Sequence, residues 1–161
     1  MAQSRSRSNV VRYLTVVLSQ GSADAFDEGS VDTGIVPEDG FGLQVKSIDF
    51  WISNSLAAVS ADCSLQWSLS RDTKTTVVGL EDPDAIVYDG WSASLTTSGQ
   101  ILIPGYYRYP QIEGIYIVEP TIYAQIDGTA TGVQITAAGF RIYYEAVPLS
   151  EVDILRVLQN A

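Results

Sequence analysis

Cys63, Leu65, Trp67 and Leu69 alternate with Ser64, Gln66, Ser68 and Ser70. A two-residue period of this kind belongs to a strand with one face on a core and the other in water. Similar segments recur along the chain. Val10 to Ser19 is apolar on both faces apart from Arg12 and Thr15, as in a strand covered on both sides by core or by a partner. Phe41 to Ser53 begins with Phe41, Leu43 and Val45 in phase and then switches to Ile48, Phe50 and Ile52. A slip of one residue carries every side chain across the sheet, so the switch predicts a β-bulge near Lys46 and Ser47. Thr73 to Leu80 is rich in β-branched residues and reads as a further strand. Gln100 to Ile103, Tyr106 to Tyr109, Ile115 to Glu119, Thr121 to Asp127 and Val133 to Val147 complete the set. The last changes phase at Ala138 and Gly139, which predicts a second bulge. Between these runs, Gln20 to Gly40 is a long acidic loop with a short strand near Val31 to Val36. "EDPDAIVYDGW" is an acidic turn entering a short apolar segment, and "DGTATG" (Asp127 to Gly132) is a hairpin loop.

The end of the chain, "VPLSEVDILRVLQN", breaks the two-residue period. Ser150 is a natural N-cap, Asp153 supplies a short variant of the capping box, and Leu149 and Ile154 occupy the positions of a hydrophobic staple. These signals predict a helix from Ser150 to Asn160. At about 100° per residue, Val152, Ile154, Leu155, Val157 and Leu158 spread over more than half its circumference. Asp153, Arg156 and Asn160 hold the narrower polar side. A surface helix needs an apolar stripe of only about 100°. The surplus predicts a helix that packs on its own sandwich with one flank and on a neighbouring subunit with the other. The alternative is a helix that only plugs the open end of its own sandwich. No heptads, repeats or alternating βα units appear, so the chain reads as all-β: an antiparallel β-sandwich of jelly-roll type with a short C-terminal α-helix. Residues 1–9 form a flexible basic arm, 10–147 the sandwich and 148–161 the helical tail.

Composition narrows the functional classes. The chain has 161 residues, 46% of them apolar, enough for one domain with a real core. Only 17% are charged, which fits either surfaces buried by neighbours or a monomer kept soluble by hydroxyls. Arg5, Arg7 and Arg12 are the only charges in the first twelve residues. The rest carries six basic and nineteen acidic side chains, a balance of −13 that repels nucleic acid and anionic membranes. Contacts to nucleic acid or to an adjacent subunit therefore fall to Arg5, Arg7 and Arg12. No run approaches the ~20 apolar residues of a membrane span. Arg12, inside the first apolar run, argues against a secretory signal.

Histidine is absent, which removes Ser-His-Asp, Cys-His and histidine-metal chemistry together. Cys63 lies on the inward phase of its strand and reads as a small hydrophobe. Two carboxylates suffice for a glycosidase, and acids cluster at Glu81, Asp82 and Asp84 with Asp89 nearby, and at Asp24, Asp27, Glu28 and Asp32. Both groups sit in predicted loops, where solvated charge is the default, so no catalytic residue is assigned. Glu81, Asp82 and Asp84 remain weak candidates for calcium, with no cofactor expected. Trp51 and the tyrosines of "GYYRYP", Tyr106, Tyr107 and Tyr109, form a candidate aromatic contact surface for a protein partner or, less favoured, a sugar.

The Arg/Ser arm "MAQSRSRSN", the compact sandwich and the helical tail together resemble the single jelly-roll structural proteins of virions. The closing "FRIYYEAVPLSEVDILRVLQ" is similar to the ends of small phage and environmental virus structural proteins. The resemblance implies a capsid subunit that self-assembles into a shell through its sides and termini, without enzymatic activity or a small-molecule substrate. Its implied partners are copies of itself, other virion proteins and packaged nucleic acid met by the arm. Its implied location is the virion, assembled in the host cytoplasm. A carbohydrate- or receptor-binding module is the second reading, and a glycosidase the third.

Overall fold

The computed structural model describes residues 10–52, 56–59, 62–94, 99–102, 105–110 and 114–159. Its strands are β1 (Arg12–Leu18), β2 (Asp27–Asp32), β3 (Phe41–Ile52), β4 (Leu56–Val59), β5 (Cys63–Ser70) and β6 (Ala85–Ala93). After them come β7 (Gly99–Leu102), β8 (Tyr106–Pro110), β9 (Tyr116–Ile117), β10 (Thr121–Thr129) and β11 (Ala138–Pro148), and then helix α1 (Glu151–Gln159). The first sheet runs β1-β11-β3-β8, with β9 also paired to β3, and the second runs β2-β10-β5-β6. Strands β4 and β7 form a separate two-stranded ribbon.

With β4, β7 and β9 set aside, eight strands remain, and their pairing is nested. The first pairs with the last (β1 and β11), the second with the seventh (β2 and β10), the third with the sixth (β3 and β8) and the fourth with the fifth (β5 and β6). Every pair is antiparallel, and successive pairs fall in opposite sheets. One long hairpin has thus been folded over and wrapped into two layers. That is the jelly roll.

The bulge predicted in β3 is present. Tyr143 of β11 faces Ser47 and Tyr144 faces Val45, so Lys46 is the extra residue. Because of it, Leu43 and Val45 before the bulge and Ile48, Phe50 and Ile52 after it all enter the core. Phe50 stacks on Trp67 of the opposite sheet, ring centres 4.4 Å apart and planes 14° from parallel. Phe140 and Tyr107 close around this pair, at 4.8 Å from Phe50 and 4.6 Å from Trp67. The Tyr109 hydroxyl accepts the Trp67 Nε1–H at 2.8 Å and donates to Asp89 Oδ2 at 2.9 Å, tying β8 to β5 and β6. Burial, reinforced by the neighbouring Asp89 carboxylate, pushes the Tyr109 phenol far above its ordinary range, so it stays a donor. The opposite seam closes at Gly29 of β2, where any Cβ would stand 2.4 Å from the Val17 carbonyl oxygen of β1.

Several local expectations change. Thr73 to Leu80 is not a strand. It belongs to the β5–β6 connection, which folds over the outer face of the second sheet. Ser68, Ser70 and Gln125, on the side of the sheet away from the apolar core, are therefore fully buried. Ser68 Oγ donates to Gln125 Oε1 at 2.7 Å and accepts the Val78 N–H at 3.2 Å. Gln125 Nε2 donates to Ser70 Oγ and to Glu28 Oε2, and Glu28 also accepts the Thr73 hydroxyl and the Lys74 N–H. The polar phase of β5 is thus satisfied by protein at Ser68 and Ser70, whereas Gln66 stays exposed. Strand β11 begins only at Ala138, so the phase change there is a strand start, not a second bulge. Residues 130–137 cross from one sheet to the other, so Asp127 to Gly132 is not a hairpin loop. Asp24 holds this crossing by accepting the Thr131 and Gly132 N–H groups, each at 2.9 Å. The short strand expected near Val31 to Val36 lies earlier, at β2; the strand expected at Gln100 to Ile103 is β7, while its ribbon partner β4 has no counterpart in the sequence reading.

At the chain end the predicted cap forms. Ser150 Oγ donates to Asp153 Oδ2 at 2.6 Å and accepts the Asp153 N–H at 3.2 Å, while the Ser150 N–H reaches the same carboxylate at 3.3 Å. These bonds, with the Arg156 charge, hold the Asp153 carboxyl below the usual carboxylate range.

Two measurements test this account. Tyr109→Phe leaves the Trp67 N–H without its acceptor and Asp89 without its donor, and should cost about 1–3 kcal/mol in thermal or denaturant unfolding. An unchanged midpoint would mean that the two sheets do not depend on this bridge. Because the folded pKa of Asp153 is depressed, its contribution is present above the unfolded carboxylate range and is lost as pH falls through the folded value. Helical circular dichroism of the wild type should fade on acidification through that window, and Asp153→Asn should lose this component of the pH profile.

Candidate interaction surfaces

The topology brings the start of β1 and the end of β11 to one end of the sandwich. Arg12 of β1 pairs with Tyr144, and Pro148 at the end of β11 pairs with Phe41 at the start of β3. The Leu149 N–H donates to the Gly40 carbonyl at 2.9 Å, so the chain enters α1 from a fixed direction. Leu149 packs directly on the β3 backbone at Gly42, where a Cβ would stand 2.5 Å from its Cδ1 and 3.2 Å from Val118.

Helix α1 divides the five residues expected at a subunit interface into two sets. Ile154 is 7% exposed and Val157 is half-buried. Val152, Leu155 and Leu158 are 57%, 55% and 46% exposed. Their spacing of three residues makes them a ridge on the solvent side, and Glu151, also exposed, lies on the same side. Asn160, expected on the polar side, lies outside the described residues. The chain therefore buries one flank of its helix and leaves the other apolar and bare.

A second surface covers the outer face of the first sheet. Register places Asp49 opposite Arg108 and Trp51 opposite Tyr106 across β3 and β8. The same rows continue through Arg141 and Gly139 of β11 to Thr15 and Val17 of β1, and Tyr143 pairs with Tyr13. Asp49 is buried under this face and accepts Arg108 Nε at 2.9 Å and Nη2 at 3.3 Å. Burial alone would raise the Asp49 pKa. The Arg108 bond and charge, with the Tyr106 and Tyr143 hydroxyls, outweigh it and hold the carboxyl below its ordinary value. The Arg141 guanidinium lies 5.2 Å from the centre of the Tyr13 ring, which in turn tilts against Tyr143 at 6.2 Å. Trp51 is half-buried, its indole lying over Gly139, where a Cβ would come within 3.0 Å of the ring.

Of the four aromatics expected on one contact surface, Trp51 and Tyr106 are on this face. Tyr107 and Tyr109 are not. They pair with Phe50 and Ile48, share the inward phase of β3 and pack against the core. Tyr13, Asp49, Arg141 and Tyr143 were not singled out, since strand pairing rather than sequence proximity brings them together. The signal available was the outward phase of Tyr13 and Val17 within β1, both well exposed. Arg12 is exposed at the start of β1 and lines a cleft of about 440 Å³ with Ile35, Phe41 and Tyr144. Arg5 and Arg7 lie outside the described residues.

The acidic loops serve structure. Lys74 Nζ bridges Asp82 at 3.2 Å and Asp84 at 2.6 Å. The Asp84 N–H and Lys74 hold the Asp82 carboxyl below its usual range, and the bond to Asp84 raises the Lys74 pKa. The place between these weak calcium candidates is thus taken by an ammonium, and among the described residues no group of three or more acidic or cysteine side chains is arranged to hold a metal. Asp27 accepts the Ser19 N–H and Asp32 the Gly34 N–H, so the second cluster pins loop backbone as well. Cys63 is a buried free thiol.

No protein-family model matches this sequence, and no curated protein matches it. Among solved structures, the chain is similar to one from tomato aspermy virus, with 10% identity, 94% of this chain and 85% of that chain covered, and a TM-score of 0.40. A chain of Desmodium yellow mottle tymovirus overlaps at 12% identity over 88% of this chain and 90% of that one, with a TM-score of 0.30. For turnip yellow mosaic virus the values are 10%, 89% and 96%, with a TM-score of 0.28. The jelly-roll assignment rests on the strand order itself and not on these overlaps.

Proposed function

We propose that this protein is a virion structural protein, a coat subunit that assembles with copies of itself into a shell. The observation that carries the reading is the bare ridge of Val152, Leu155 and Leu158 on a helix that is capped and anchored on its other side. Nine residues are too few for a helix to persist alone in water. The anchored flank accounts for Ile154, but nothing among the described residues accounts for three large apolar side chains facing outward. Each offers ~1.5–3 kcal/mol on full burial, and the same gain repeated around a closed shell holds together contacts that are individually weak. Jelly-roll sheets serve both viral capsids and lectins, so the fold alone does not decide between them.

Strand β1 begins and helix α1 follows β11 at the same end of the sandwich, so that end is where a subunit would reach its neighbours. Arg12 stands exposed at that end, and in this reading it acts with Arg5 and Arg7 of the preceding sequence on packaged nucleic acid or on an acidic neighbouring subunit. No step of this role calls for a cofactor or a small-molecule substrate. The carboxylates at Asp24, Asp82 and Asp84, which a glycosidase would need free, are engaged in loop bonds. Among the described residues, no helix is long and apolar enough to cross a membrane. A receptor- or sugar-binding module is the second reading, favoured by the exposed Tyr106 and the half-buried Trp51 on one sheet face.

The ridge makes the reading testable. Leu155→Asp and Leu158→Asp should prevent particle formation, seen by light scattering and negative-stain imaging, while the melting temperature stays near wild type. Ile154→Asp should instead destabilise the subunit itself, by several kcal/mol for a buried unpaired charge. If each change that stops assembly also unfolds the monomer, the helix is an internal plug and the reading fails. Deleting residues 1–9 should leave the melting temperature unchanged and reduce assembly or nucleic-acid uptake. A drop of many degrees would put the arm in the folded core.

A further inference from the structure

We infer that the surface receiving the helix ridge is the outer face of the first sheet on a second copy of this chain, with Glu151 of one copy meeting Arg141 of the other. This rests on the assembly reading above and goes beyond it by naming the receiving surface.

Charge points to the pair. Lys46, Arg71, Lys74 and Arg108 each sit within ion-pair distance of a carboxylate of their own chain. Arg141 does not. It is exposed, and it lies over Tyr13 beside Tyr143, while the acid under that face, Asp49, is already held by Arg108. Arg12 and Arg156 are likewise exposed and outside the ion pairs, but Arg156 lies on α1 itself and Arg12 shares the inward phase of Val16 and Leu18 beside the terminal cleft. Among the described residues, Arg141 is therefore the arginine without a carboxylate partner on the outer face of the sheet. Glu151 is its counterpart: exposed, outside the ion pairs, and on the side of α1 that carries Leu155 and Leu158.

Shape agrees. Val152 to Leu158 rises ~9 Å along the helix axis. Tyr13 to Val17 spans ~13 Å along β1, and the four strands of the face are ~14 Å across, room for one helix. Tyr13, Val17 and Tyr106 are 62%, 58% and 54% exposed, which gives the ridge apolar surface to cover, with arginines beside it. The clefts at Arg12 and at Cys63 lie at the ends of the sandwich, whereas a small sugar is usually gripped in a concave site. Ridge and face are different patches of one chain, so copies joined head to tail through them propagate until a ring or shell closes. One such contact falls well below the ~800 Å² per partner of a stable dimer, so it holds only when many are made together.

The test uses the full chain with Arg141→Glu and Glu151→Arg, singly and together. Both sites are exposed, and melting temperature with circular dichroism verifies that each variant folds. Each single change should raise the protein concentration needed for assembly about tenfold or more, and the double change should restore most of it. The milder Glu151→Gln should give an intermediate shift if the Arg variant disturbs the first turn of the helix. Normal assembly of Arg141→Glu, or a double variant no better than the singles, would overturn the inference. If Leu155→Asp still blocks assembly in that case, the coat reading stands and only the receiving surface is wrong. A wild-type chain that stays monomeric at every concentration removes both. Normal assembly of Arg141→Glu with lost retention on a glycan array would assign the face to sugar instead.

Discussion

The stacking of Phe50 on Trp67 joins the two layers at their centre, and the rest of the molecule is arranged around it. Phe50 reaches that point only because Lys46 is left over in the β3–β11 register, which returns the second half of β3 to the inward phase. Trp67 brings a polar N–H into the same apolar space, which requires an acceptor, and Tyr109 supplies one from the opposite sheet. A bulge, a stack and one buried hydroxyl thus fix the relative position of the sheets. They also fix which residues of β3 and β8 face outward, Asp49, Trp51, Tyr106 and Arg108 among them.

Much of this could be read from the chain, where the local pattern was governed by a single environment. The β3 phase switch was legible because both halves alternate cleanly against one core. The helix was legible because capping is local chemistry between Ser150 and Asp153. Thr73 to Leu80 misled because β-branched composition is common to strands and to covering loops. What makes this segment a cover is Glu28 and Gln125, far away in sequence. Tyr107 and Tyr109 could not be separated from Tyr106 because "GYYRYP" offers no apolar and polar alternation. Their orientation is decided by pairing with Phe50 and Ile48.

The interaction surfaces were half legible for the same reason. The surplus of apolar positions on α1 is a property of one short segment, and the structure divides it into a covered and a bare flank. The outer sheet face is assembled from β1, β3, β8 and β11, so no window of sequence contains it. Asp49 illustrates the gap: it reads as one more acid in a strand, yet it is buried and binds the Arg108 side chain across the β3–β8 pair.

The nested pairing also gives the subunit a polarity. Leu18, Ile52 and Ala138 meet at the end opposite the termini, where the β1–β2, β3–β5, β6–β8 and β10–β11 connections all turn. Lengthening such a connection costs only ~0.6 kcal/mol per doubling and moves neither terminus. The opposite pole, where β1 starts and α1 is anchored, keeps its register whatever the length of these connections.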